Sequence, residues 1–374
     1  MKTLTVMAAG LGWDLLEQHK TTSIAGVDFG PAPSVFPAVT CVAQASLRTN
    51  LQPSGHQMLS NGVWLEDLQK PSFWEQSTKL VKGKRIWSDR RANGATVGLF
   101  FFQQSLGEEA DIIISPAPIH KHGGGMIMSC YTKPQGMANI LQKLCGTFPL
   151  WRYWGPLASP KVGRNCISYF KRMVEAHDVD EAYLYLPTLD YAAQKYGPSS
   201  NQATAAFREF CSQIANIVSF CEKQGAILKV IGDYNITAVT EAPLMPNATL
   251  RKAGLFKVRQ IKQMAYPDFY ASKAFAMCDH EVCLIYGEER QKAIEILLAT
   301  GDYEQSDTIN NALIAKQGSY ASYKWWTNPK EAPDYASHVD IHNKPGYDPT
   351  ELFFFCKGAA KGTHGRKCTI AISR

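Results

Sequence analysis

The sequence predicts an α/β fold built on a mostly parallel sheet, and three observations carry that reading. Apolar runs of strand length recur: "LTVMAA" at 4–9, "ATVGLFFF" at 95–102, "DIIIS" at 111–115, "EAYLYLP" at 181–187 and "AILKVIGDY" at 226–234. A long helical pattern separates the last two, and strand–helix–strand order returns the chain parallel to itself. Oxygen-bearing side chains stand at the ends of such runs, which is where open parallel sheets gather their ligand-binding groups.

Taken in order, "MKTLTVMAAGLGW" opens with one lysine and a short apolar run. A thin positive region and a short run suit a first buried strand turning at Gly10 and Gly12 better than a secretory leader. Next, "SVFPAVT" ends on Thr40 and enters "CVAQASL", which can start a helix. Thr40 is therefore either a helix cap or a reagent. The segment 64–160, rich in Trp, Gly and Pro, reads as an insert or cap over the sheet. In 201–225 the residues Ala206, Phe207, Phe210, Ile214, Ile217, Val218 and Cys221 recur at three- and four-residue spacing, one buried face of a helix. Gly225 sits where a helix terminator belongs. Asp190 comes just after "YLYLP" and Asp233 just after "ILKVIG", so three oxygen side chains fall at strand ends.

Composition narrows the function classes. Apolar residues at 45% and charged ones at 19% describe an ordinary folded chain. The net charge of +6 is scattered, with short clusters such as "KGKR" at 82–85, so nucleic acid is not an expected partner. No run approaches the roughly 18 apolar residues of a membrane span, and no membrane partner is expected. Ten cysteines without a CxxC pair read as thiols of a reducing compartment, which places the expectation in the cytoplasm. His120 and His122 in "HKHGGG" share a face only if they lie in a strand, and three glycines favour a loop. The "YKWW" aromatics at 323–326 default to packing.

Four motifs together resemble a known family. "FPAVTCVAQASLRTNLQPSGHQMLSNG", "LPTLDYAAQKYGP" (186–198), "VIGDYNIT" (230–237) and "VDIHNKPGYDP" (339–349) occur in the order found in type I phosphodiesterase/nucleotide pyrophosphatases of the alkaline phosphatase superfamily. The resemblance runs to about residue 352 and implies a three-layer α/β sandwich with an inserted cap, leaving 353–374 as a basic tail. It implies Thr40 as nucleophile, Asn61 as a phosphoryl-oxygen ligand, and a phosphate-containing small molecule as substrate. One divalent metal would take Asp190, position 194 and His342. A second would take a first-strand Asp, Thr40 and positions 233 and 234.

The chain departs from that pattern at three ligands. Ala9 stands at or near the first-strand acid, Gln194 replaces one histidine and Tyr234 another. Asp190, Asp233 and His342 remain. Gln is a neutral oxygen donor and Tyr ligates only when its high pKa falls, so zinc gives ground to Mg²⁺ or Mn²⁺. His280 in "MCDHEV" and Asp14 in "GWDLL" are weaker substitute ligands. The expectation is thus a phosphoric ester, diester or pyrophosphate hydrolase using at least one Zn, Mg or Mn ion, with possible partner enzymes in a pathway. The alternative is a catalytically degenerate ligand-binding protein on the same scaffold.

Overall fold

The computed structural model describes residues 1–123, 126–155, 157–261, 264–327 and 360–374. It divides into two units, Met1–Met58 with Gln76–Ile236 and Lys367–Arg374, and Leu59–Glu75 with Thr237–Arg366.

The first unit is organised by a nine-stranded mixed sheet. Its order is Tyr131–Lys133, Ile112–Ser115, Val97–Phe100, Glu181–Leu186, Thr3–Ala8, Ile227–Gly232, Thr369–Ser373, Val27–Pro33 and Ser23–Ile24. The five strands from Ile112–Ser115 to Ile227–Gly232 run parallel. They correspond to the five apolar runs of the sequence. Strands covered on both faces need near-continuous apolar residues, and Leu4, Val6, Leu99, Ile113, Leu184 and Val230 are all buried. The flanking pairings are antiparallel.

Helix Asn201–Gln224 connects two parallel strands as its periodicity predicts. The Ser200 side chain accepts from the Ala203 N–H at its start, and Gly225 closes it at φ 62. Its Phe220 ring meets Phe170 of helix Val162–Ala176 at 5.8 Å, and Phe170 meets Phe100 of the sheet at 5.1 Å. Such edge-on aromatic contacts tie helix to helix and helix to sheet.

Two boundaries differ from those expected. The segment 64–160 contributes Val97–Phe100 and Ile112–Ser115 to the parallel sheet, so it is not a cap throughout. Residues 369–373 of the expected tail form a strand between Ile227–Gly232 and Val27–Pro33. Most of the cationic residues of this end precede the strand, whose Ile370 and Ala371 are buried.

The second unit contains a four-stranded antiparallel sheet in the order Phe275–Asp279, Val282–Tyr286, Ala312–Ala315, Tyr303–Gln305. Strands Gly62–Leu65 and Lys70–Phe73 form a separate hairpin. No helix among the described residues is long and apolar enough to cross a membrane. None of the nine described cysteines forms a disulfide.

Candidate active site

Strand register builds the site. Ala8 pairs with Leu186 on one side and Gly232 on the other, so the three chains leave the sheet at the same level. Beyond that level the first strand delivers Ala9 and Gly10, the second Asp190, and the third Asp233 and Tyr234.

Asp233 is the most constrained of these. Its Oδ1 accepts the Gly10 N–H at 2.9 Å and the Tyr234 N–H at 2.8 Å, and its Oδ2 accepts the Tyr185 hydroxyl at 3.1 Å. Gly10 has φ +72, a conformation open to glycine, and this turn aims its N–H at the carboxylate. Burial, with Asp190 adding repulsion, holds the Asp233 carboxyl well above the usual carboxylate range, against the pull of those hydrogen bonds.

Asp190 opens helix Asp190–Tyr196. Its Oδ1 accepts from Gln194 Nε2, one turn on, at 2.6 Å. Burial raises its pKa to about 6, while hydrogen bonds from Gln194 and Tyr234 pull the other way. Gln194 is 1% exposed, and its Oε1 has no hydrogen-bond partner among the described residues. Such an acceptor is costly to bury unless a ligand satisfies it.

Thr40 is the first residue of helix Thr40–Thr49, and the cap position belongs to Val39. The cap reading of the threonine therefore fails. Its Oγ1 lies 3.3 Å from the Tyr234 hydroxyl, at a helix end where the backbone dipole favours negative charge. Burial pushes the phenols of Tyr185 and Tyr234 up well above 10, so both stay neutral donors.

The structure thus joins Thr40, Asp190, Gln194, Asp233 and Tyr234 in the first unit. Asn61 belongs to the second unit, where its backbone N–H and side-chain amide donate to Asp279 at 2.6 and 3.1 Å. His280 also belongs there. It is buried, its ring centroid stands 3.6 Å from that of His364, and burial drives its pKa well below 6.5. Asp14 is exposed and accepts from Asn235 at 2.6 Å. His342 lies outside the described residues. Sequence reasoning missed Tyr185, and it named Gly10 only as a turn, not as a donor to Asp233. A phenol inside a fully buried strand was the available signal, because a buried hydroxyl needs a partner.

The sequence matches the family described as type I phosphodiesterase / nucleotide pyrophosphatase over residues 3–348. The chain belongs to this family. It is a hydrolase of the phosphodiesterase/pyrophosphatase type. Among solved structures, murine ectonucleotide pyrophosphatase/phosphodiesterase 5 is similar at TM-score 0.57 and 14% identity, covering 100% of this chain and 88% of that one. Phosphonoacetate hydrolase from Sinorhizobium meliloti 1021, in complex with phosphonoformate, gives TM-score 0.64 at 13% identity, covering 100% and 89%. These likenesses show the fold. No curated protein matches the sequence.

The described residues fit two zinc ions poorly. Among them no group of three or more His, Cys, Asp or Glu could hold a metal. Both Asp233 oxygens already accept hydrogen bonds, and Tyr234 is a neutral phenol. The donors left are hard oxygens, the Asp190 carboxylate and the orphaned Gln194 Oε1. They suit one Mg²⁺- or Mn²⁺-class ion better than a zinc pair.

Proposed function

We infer that the chain hydrolyses a phosphoric ester, diester or pyrophosphate bond in a small molecule, with Thr40 as nucleophile. One observation carries this. The Thr40 hydroxyl sits at a helix N-terminus beside the neutral phenol of Tyr234, which in turn adjoins the buried carboxyl groups of Asp190 and Asp233 where parallel strands end. Solved relatives support it: one murine structure is described as an inactive threonine-to-alanine variant in complex with AMP, and a bacterial one holds phosphonoacetate.

In this reading Thr40 Oγ1 bonds to phosphorus as the bond to the leaving oxygen breaks, the threonine proton is taken up by the leaving oxygen, and water then releases the phosphoryl group and restores the hydroxyl. The Tyr234 hydroxyl orients the Thr40 oxygen, and the helix end steadies its negative charge. Asp233 stays anchored by three hydrogen bonds and holds the Tyr185 and Tyr234 segments in register. Asp190 and Gln194 would hold a single divalent ion. Bound there, it would supply Lewis-acid polarisation of a phosphoryl oxygen.

A chromogenic phosphodiester tests this, assayed with chelator and with added Mg²⁺, Mn²⁺ or Zn²⁺. Thr40→Ala should lower kcat by about a thousandfold or more, and Tyr234→Phe by about tenfold with little change in KM. Full activity in Thr40→Ala removes the threonine from the mechanism. The second reading, a binding protein on this scaffold, is favoured by the uncharged residues Ala9, Gln194 and Tyr234. It requires that elemental analysis find no bindable divalent ion and that no ester be cleaved.

A further inference from the structure

Residues 112–174 contain no Asp or Glu, although the whole chain holds 33 acidic residues. The same stretch carries Lys121, Lys133, Lys143, Arg152, Lys161, Arg164, Lys171 and Arg172. Some of these are engaged: Lys133 donates to the Ala110 carbonyl, Arg164 pairs with Glu209 and Arg172 with Glu175. Lys121, Lys143 and Arg152 are exposed and form no ion pair among the described residues.

Apolar exposure concentrates in the same stretch of the sequence. Among the described residues, seven of thirteen exposed large apolar side chains fall between 119 and 157. Ile119 and Ile127 are a cross-strand pair, 56% and 46% exposed. Ile140 and Leu144 stand one turn apart on helix Met137–Cys145, 48% and 62% exposed, with Lys143 between them. This helix packs beside Tyr131–Lys133, the edge strand of the nine-stranded sheet, and Tyr131 is itself exposed. Trp151 and Leu157, further along the chain, are exposed as well.

We propose that this sheet edge docks on an anionic lipid surface, with Ile140 and Leu144 entering the interface and Lys143, Lys121 and Arg152 facing the headgroups. The combination fits that occupant. A short amphipathic helix with a cationic flank lies in the plane of a membrane interface and does not span it. Long cationic side chains reach headgroups while their stems cover apolar surface. A symmetric dimer through the same patch would set its cations against their copies, and no acidic residue of the stretch would neutralise them.

The test is sedimentation of the full chain with phosphatidylcholine vesicles, with and without phosphatidylserine, at low and high salt. Binding should need phosphatidylserine and weaken with salt. The double substitution Ile140→Ser with Leu144→Ser, and separately Lys143→Glu, should each weaken it about tenfold or more. These positions are exposed, so the variants should melt like the parent and keep its phosphodiesterase activity. No vesicle binding, or binding that both variants retain in full, overturns the proposal. So does a solution dimer that the double substitution dissociates, or RNA binding without lipid binding.

Discussion

Thr40, Gln194 and His56 each hold a polar group out of water, and each does so differently. The Thr40 hydroxyl shares a hydrogen bond with Tyr234, whereas Gln194 Oε1 has no hydrogen-bond partner among the described residues. His56 is fully buried: its Nδ1 accepts the Met58 N–H at 3.1 Å, and its Nε2 faces Ser46 Oγ at 2.8 Å. That acceptor role fixes the neutral ring, because a second proton would point at an N–H donor. Burial, with Arg48 adding repulsion, lowers the His56 pKa to about 4. The folded value lies below the unfolded one, so the unfolded chain takes up a proton near pH 6.5 that the folded chain refuses. His56's contribution is therefore intact above pH 6.5 and is lost as pH falls toward 4. Between pH 7 and pH 5 it should cost about 2 kcal/mol. Urea melts at both pH values, compared between wild type and His56→Gln, check this. A pH dependence unchanged in the variant assigns the acid sensitivity elsewhere.

The helix that presents Thr40 is fastened at its far end by buried charge. Arg48 donates from Nη1 to Glu108 Oε2 at 3.1 Å and to the Gln104 carbonyl at 2.8 Å, and Arg85 Nε reaches Glu108 Oε1 at 2.9 Å. Burial alone would raise the Glu108 pKa, but the two guanidinium groups outweigh it and the net shift is downward. One carboxylate thus neutralises two buried cations. Removing it leaves both uncompensated, so Glu108→Ala should cost about 3–5 kcal/mol in denaturant unfolding. A loss below about 1 kcal/mol would mean that packing, not the ion network, holds the helix. The segment "CVAQASL" announced the start of this helix. Its anchor was hidden, because Glu108 lies 60 residues from Arg48 in sequence.

For the whole first unit, the chain's last segment is structural. Thr369–Ser373 pairs with Val27–Pro33 over five residues, meets Ile231 through Ile372, and its Ser373 hydroxyl accepts the Val230 N–H at 2.9 Å. Deleting 367–374 would open two strand edges and uncover apolar surface. The truncated chain should lose its cooperative thermal transition and aggregate. A truncated chain that stays monomeric and melts as the full chain does would show the strand to be dispensable. The five parallel strands were legible in the sequence because buried strand faces demand apolar runs, although in Ile227–Gly232 only Val230 and Gly232 are buried. This strand was not, being five residues long and preceded by lysine, arginine and glycine.

The amino-acid sequence determined the parallel α/β scaffold, its long crossover helix and the strand-end positions of Asp190 and Asp233, because periodicity and run length are local properties of the chain; Thr40 follows an irregular segment, not a strand. Tertiary structure alone decided that Tyr185 and Gly10 hold Asp233, that Tyr234 meets Thr40, and that Asn61 serves Asp279. Those contacts arise from strand register and from pairings between residues tens to hundreds of positions apart, which no local pattern records.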